Sequence, residues 1–271
     1  MFMETSRLAK KPMIIVELGL NHNGSLEKAL EMVRVANECG VDAIKVQNWR
    51  TGDFVQDKRE KYQYRVKSPE GAYMDASEPL WQMFQRHELA YEELIEIAQC
   101  VDSYGLIFGS TPSAESGVRD LVNARADFIK ISSDNVNNTS LLKSVAATGK
   151  PIIMSTGLSD IPEIVEAITA IKIGGGNALP DLALLHCVSE YPANTDKAQL
   201  GRILNLDSRF DYPVGYSDHT PGIRTAHISN KSFGAKIIEK HFTLDKFALG
   251  PDHSWSADPR EMEGLVRCFH N

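Results

Sequence analysis

The sequence predicts an α/β fold closed as a (β/α)8 TIM barrel, and three observations carry that prediction. Short apolar runs alternate with longer amphipathic stretches along nearly the whole chain. The runs are apolar almost throughout, as strands are when helices cover both faces of a parallel sheet. There are eight such units, a number that fits a closed barrel better than an open doubly wound sheet. The open sheet is the alternative, but no GxGxxG follows the first strand, and the glycine run Gly174–Gly176 reads as a loop.

The units follow in order. MIIVEL (13–18), bounded by Pro12 and Gly19, is a buried strand. SLEKALEMVRVANECG (25–40) is a helix, with Leu26, Leu30 and Val33 at helical spacing, Ser25 as N-cap and Gly40 as stop. DAIKVQ (42–47) is the second strand, and residues 50–90 after it read as a long, irregular, polar and aromatic insert. Helix 91–105 and strand 106–110 resume the pattern, followed by helix 114–124, strand 127–132, helix 138–149 and strand 151–156. Helix 160–174 and strand 182–187 come next, then a weaker helix within 195–206 and strand 212–217. Helix 222–234, strand 236–242 and helix 258–270 complete the series. Ser113, Thr139 and either Ser159 or Asp160 read as helix caps.

At 271 residues, 42% hydrophobic and 24% charged, the chain has the composition of an ordinary globular protein and reads as one barrel domain over 1–271. A net charge of −7 with no Lys/Arg block argues against a nucleic-acid surface. Cys39, Cys100, Cys187 and Cys268 are far apart with no CxxC, the pattern of reduced thiols in a cytoplasmic protein. Arg7, Lys10 and Lys11 precede an apolar stretch that contains Glu17, with no cleavage-like site after it, so no signal peptide is read. No apolar run is long enough to predict a membrane helix.

In such barrels the site lies at the C-terminal ends of the strands. Those ends carry Glu17, with Asn21 and His22 beyond it; Lys45 and Gln47; Ser110 and Thr111; Lys130, Ser132 and Ser133; and Ser155 and Thr156. The later ends carry His186, Ser189 and Tyr191; Ser217, Asp218 and His219; and Glu239 and His241. Alternation puts Lys45 with Gln47, Lys130 with Ser132, and Glu239 with His241 on common faces. Two lysines converging with hydroxyls make a pocket for a small anion. His219 and His241, on neighbouring strands, suit a divalent first-row metal. A single strand-end histidine is commonly structural, and most of His87, His227, His253 and His270, which have no such placement, are read as structural. It is convergence on one rim that marks the site.

ELGLNHNGSLEKA, DAIKVQNWRTGDFV, STPSAESG, FIKISS, KPIIMSTGL, LLHCVSEYPA, GYSDHTPG and IIEKHFTLDKFALGPDHSWS occur in that order between about 13 and 265. Together they resemble the barrel of the sialic acid synthase (N-acetylneuraminate synthase, NeuB-like) family. The resemblance implies condensation of phosphoenolpyruvate with an aldehyde sugar to a 2-keto-3-deoxy sugar acid, with release of phosphate. It implies a divalent metal, Mn2+ or Mg2+, on His219 and His241, and phosphoenolpyruvate held by Lys45, Thr111, Lys130, Ser133, Ser155 and Ser217. It implies Gln47, Tyr191 and Asp252 facing the sugar, and Glu17 near the reacting centre. A homodimer is expected, with small-molecule substrates and neither nucleic acid nor membrane as partner.

Two departures stand out. Where the family reads K-I-G-S-G-E, this chain has KISSDN (130–135), so Asn135 occupies the glutamate position behind Asp134. Proton transfer is then expected to fall to Asp134 or Glu17. The family's C-terminal antifreeze-like (SAF) domain has no counterpart in these residues. Cover for the site is expected from the 50–90 insert, the 246–257 loop or a neighbouring subunit, and the acceptor is expected to differ from N-acetylmannosamine. An aldolase or lyase acting on a keto-acid sugar with the same metal barrel, and a degenerate, non-catalytic sugar-binding barrel, remain alternatives.

Overall fold

A computed structural model describes residues 11–176 and 181–270, apart from the side chain of His270; Arg7 and Lys10 of the opening stretch lie outside it. Among the described residues ten strands run in chain order: β1 (Met13–Glu17), β2 (Ala43–Asn48), β3 (Lys61–Lys67), β4 (Tyr73–Pro79), β5 (Ile107–Pro112), β6 (Phe128–Ile131), β7 (Ile152–Ser155), β8 (Leu182–Cys187), β9 (Val214–Asp218) and β10 (Ile237–His241). All but β3 and β4 pair in parallel into a closed barrel, in the order β1-β10-β9-β8-β7-β6-β5-β2. No described helix is long and apolar enough to cross a membrane.

Strand alternation builds two apolar layers. Ile14, Val16, Ile44, Val46, Ile129 and Ile131 point outward into the core beneath the helices. Ile15, Ala43, Phe128, Ile153, Leu185 and Ile237 point inward and fill the lower barrel. Gly109 makes room for this plug, since a Cβ there would stand 2.2 Å from the Phe128 ring. Two residues further along each strand, the same inward parity gives Glu17, Lys45, Lys130, Ser155, Cys187 and Glu239. A polar layer therefore sits directly on the apolar plug.

The helices behave largely as the sequence indicates. Ser25 caps Leu26–Glu38 by accepting from the Lys28 amide at 3.2 Å. Asp160, rather than Ser159, caps Ile161–Gly175, with Glu163 returning the bond to the Asp160 amide. Two cap assignments are corrected. Asn138, not Thr139, accepts from the Leu141 amide, and Thr139 is the first helical residue. Ala114 occupies the cap position expected of Ser113, with no side-chain bond.

The insert is also corrected: it is not irregular. A short helix (Thr51–Phe54) leads to an antiparallel hairpin of β3 and β4, and then to a helix over Leu80–His87. In KYQYRVK the alternate residues Tyr62, Tyr64 and Val66 form one face, and the turn closes at Gly71 with φ +87°. The signal was present, but carried by tyrosines rather than aliphatic residues. Trp49, Phe54, Met83 and Phe84 form a satellite cluster that seats the insert on the barrel rim, with edge-to-face ring contacts at 5.5 Å (Trp49–Phe84) and 4.7 Å (Phe54–Phe84).

Candidate active site

The polar layer is a chamber of about 60 Å³, opening upward into a cavity of about 670 Å³. Register sets the chamber floor: Glu17 lies beside Lys45 on one neighbour and His241 on the other, and Glu239 lies beside Ser217. Lys45 Nζ donates to Glu17 Oε2 and, at 2.8 Å, to Thr111 Oγ1. Lys130 Nζ donates to Ser155 Oγ at 2.7 Å. Glu239 bridges the two ammoniums, 3.9 Å from each, and accepts from Ser217 Oγ at 3.0 Å. Burial alone would push the Glu239 carboxyl up; Lys130, Lys45 and the Ser217 hydroxyl outweigh it and hold the group low. Burial brings the Lys45 ammonium down to about 7, opposed by Glu239 and reinforced by Lys130.

The two histidines stand at the chamber mouth with ring centroids 5.9 Å apart. His219 Nδ1–H donates to the Val188 carbonyl at 2.7 Å, which leaves Nε2 as a lone pair. Its nearest partner is Ser217 Oγ at 3.4 Å, whose proton is already directed at Glu239. His241 Nδ1 is buried with no hydrogen-bond partner, and lies 3.6 Å from Asp252 Oδ2. Burial keeps both imidazoles neutral, His219 at about 4 and His241 well below its ordinary value. It also raises the Asp252 carboxyl to about 7, against the pull of the Leu20 backbone N–H. Gly19 is required here: its φ is +52°, and a Cβ would stand 2.8 Å from His241 Nδ1 and 3.2 Å from Asp252. An oriented neutral imidazole and an unpartnered buried nitrogen fit a metal. Among the described residues, however, no group of three or more His, Cys, Asp or Glu could hold one, so the remaining ligands would be other oxygens.

Gln47, Thr111, Ser133, Tyr191 and His241 line both the chamber and the cavity above it. Ser133 Oγ accepts from the Gly157 amide at 2.9 Å and lies 3.0 Å from Cys187 Sγ. Asp134, Asn135 and Asp252 line the upper cavity only. Asn135 donates to Ser132 Oγ and accepts from Asn138 Nδ2, both at 3.2 Å, so its amide ties the Ser133–Asn135 turn together.

Several strand-end residues lie outside this site. His186 faces away from the chamber and donates to the Ala198 carbonyl at 2.7 Å, and Ser110 donates outward to Asn48 at 2.8 Å. Asp218 is fully buried against Lys240 at 2.9 Å and accepts from Thr220 Oγ1 at 2.7 Å. Each is one residue out of step with the inward parity. Sequence reasoning missed Cys187 as a wall residue, and also missed Trp255, whose buried ring packs at a tilt 4.5 Å from His241 and 5.6 Å from Tyr191. Parity with Leu185 could have found Cys187; nothing local marks the path of the loop that brings in Trp255.

A model of the NeuB family matches residues 32–271. The N,N'-diacetyllegionaminic acid synthase of Legionella pneumophila is 39% identical over 260 residues, covering 95% of this chain and 71% of that protein. The human N-acetylneuraminate-9-phosphate synthase is 31% identical over 94% of this chain and 68% of its own length. Among solved structures, the N-acetylneuraminic acid synthetase of Leptospira borgpetersenii, in complex with citrate, superposes with a TM-score of 0.83 at 31% identity, covering 97% of this chain and 84% of that one.

Proposed function

The chain belongs to the NeuB family and is an enzyme of that family, and from that membership we propose that it joins phosphoenolpyruvate to the open-chain aldehyde of an amino sugar. Carbon 3 of phosphoenolpyruvate bonds to the aldehyde carbon, whose oxygen takes a proton. Water adds at carbon 2 and phosphate leaves, giving a 2-keto-3-deoxy sugar acid.

The observation that carries this reading is the charge pattern of the chamber. Lys45 and Lys130 are the binding cations, with the Thr111, Ser133, Ser155 and Ser217 hydroxyls around them to take phosphate and carboxylate oxygens. Glu17 and Glu239 already balance the two lysines, so an incoming polyanion needs further positive charge. His219 and His241 are the residues to hold a divalent cation, which when bound would act as a Lewis acid toward the aldehyde oxygen. Gln47, Tyr191 and Asp252 orient the sugar at the mouth. Glu17, fixed by Lys45 and by the Gly19 amide at 2.7 Å, keeps its carboxylate beside the reacting centre. Asn135 cannot act as a carboxylate base, and Asp134, on the cavity wall, is the group within reach for proton transfer.

Turnover with phosphoenolpyruvate and a panel of aldoses, read by mass spectrometry, tests the proposal. One phosphate per sugar acid formed is the expected result. Cleavage of a keto-acid sugar without phosphate release would instead identify an aldolase or lyase.

A further inference from the structure

The four hydroxyls of the chamber are not engaged alike. Thr111 and Ser155 each accept from a lysine ammonium, at 2.8 and 2.7 Å, and keep their own proton for a ligand. Ser217 directs its proton at Glu239, at 3.0 Å. Ser133 has a different pair of neighbours: its Oγ accepts from the Gly157 amide at 2.9 Å and lies 3.0 Å from Cys187 Sγ. Three elements meet here: the turn after β6 that carries Ser133, the loop after β7 that carries Gly157, and the end of β8, where Cys187 lies in register with Ser217. Gly157 lets them meet, since a Cβ there would stand 2.6 Å from Cys187 Sγ. Cys187 is buried on the chamber wall, and two further groups of that wall, Glu239 Oε2 and His241 Nδ1, are buried with no hydrogen-bond partner. Such atoms mark the chamber as a place where a polar ligand binds.

A hydroxyl oxygen has one proton and two lone pairs. With the Gly157 N–H on one lone pair, the contact with the thiol can run either way, from Ser133 O–H to sulfur or from S–H to Ser133. Sulfur is a weak acceptor, whereas a phosphate or carboxylate oxygen takes a charge-assisted hydrogen bond. An anion in the chamber therefore draws the Ser133 proton to itself, and the thiol proton turns to the second lone pair. We propose that Cys187 is a positioning residue that acts through Ser133: the Gly157 amide and the Cys187 thiol together hold the Ser133 hydroxyl as a donor to phosphoenolpyruvate. No bond to sulfur forms or breaks. The inference rests on the reading of the chamber as the phosphoenolpyruvate site.

Calorimetric titration of phosphoenolpyruvate into the full chain tests it, using the unchanged protein, Cys187→Ala, Cys187→Ser, Ser133→Ala and the double variant Cys187→Ala/Ser133→Ala. Cys187→Ala is expected to raise Kd about five-fold, the scale of one lost neutral hydrogen bond. Cys187→Ser, which keeps a donor, should return Kd to within about two-fold of the unchanged protein. In the Ser133→Ala background the same Cys187→Ala change should add less than about two-fold, because the thiol acts through that hydroxyl. A second readout needs no alanine variant to fold. In the unchanged protein the infrared S–H stretch of Cys187, identified by its loss in Cys187→Ser, should move to lower frequency when phosphoenolpyruvate binds. The inference is overturned by an unmoved S–H band, by an unaltered Kd in Cys187→Ala, or by an equal rise in Kd in both backgrounds; the chamber then remains the phosphoenolpyruvate site as long as phosphoenolpyruvate binds. If the expected pattern is found but no aldose yields a sugar acid, the inference stands and the proposed reaction fails. If the unchanged protein does not bind phosphoenolpyruvate, both fail.

Discussion

His219 and His241 at the chamber mouth, and His22, His87 and His253 beneath the insert, are all buried, and burial lowers the pKa of all five; what separates the two groups is whether the ring lines the cavity. At the mouth, His219 lines the chamber and His241 lines both the chamber and the cavity above it. Beneath the insert, His253 bonds Thr243 at 2.7 Å and Asn23 at 3.2 Å, and His87 bonds the Met83 carbonyl at 2.7 Å. His22 Nδ1 accepts from the Gly24 amide at 3.1 Å, its Nε2 is buried without a hydrogen-bond partner, and Asn23 donates to the Leu249 carbonyl at 3.2 Å. These bonds tie the loop after β1 to the loop after β10, against the end of the Leu80–His87 helix. Burial, a depressed pKa and an unpartnered nitrogen therefore do not distinguish a binding histidine from a structural one; a place on the cavity wall does.

The sharpest contrast should come from the carboxylates. Asp134→Asn is expected to lower kcat by 100-fold or more, in line with loss of a general acid or base, with little change in phosphoenolpyruvate KM. If only Glu17→Gln does so, the proton role belongs to Glu17 and Asp134 is part of the wall. Next in size, Lys130→Met removes a charge-assisted contact worth about 1.5–3 kcal/mol, or about 10- to 100-fold in apparent affinity for phosphoenolpyruvate, in a protein that remains folded. Unaltered phosphoenolpyruvate binding would remove Lys130 from the site.

His253→Ala should show the opposite profile: about 2–4 kcal/mol of stability lost, from a cavity and two hydrogen bonds, as read by denaturant unfolding. If stability is unchanged, the five histidines are not two kinds after all. The last effect is pH-dependent. His22 at about 4 and His253 at about 3 lie below their ordinary 6.5 in the fold, so the unfolded chain binds protons that the folded chain refuses. Stability is then fully present above about pH 6.5 and falls toward pH 4, by about 1.4 kcal/mol per pH unit for each such histidine. His253→Gln should flatten that slope by one proton.

Much of this was legible in the sequence because strand parity is local. Lys45 and Gln47, or Glu239 and His241, share a face by alternation alone, and the strand ends name the rim. His186, Ser110 and Asp218 were misassigned to the rim because polar type was read before parity: each is one step from an inward residue and packs under a helix or beside a neighbouring strand. The hairpin was missed because its buried face is made of tyrosines on a two-stranded surface ribbon, not of aliphatic residues in a core. Trp255 and the Asn23–His253 tie depend on how three loops meet in space, and no spacing along the chain encodes that. Asn135 could be seen as a departure, but not that its amide is held by Ser132 and Asn138.

Metal stoichiometry tests the central distinction most directly. After equilibration with Mn2+ and gel filtration, the unchanged protein and the folded His253→Gln variant should each retain about one equivalent, and His219→Ala and His241→Ala should retain essentially none. Full retention by both alanine variants, or loss of the metal from His253→Gln, would contradict the assignment of the two cavity-lining histidines to a metal.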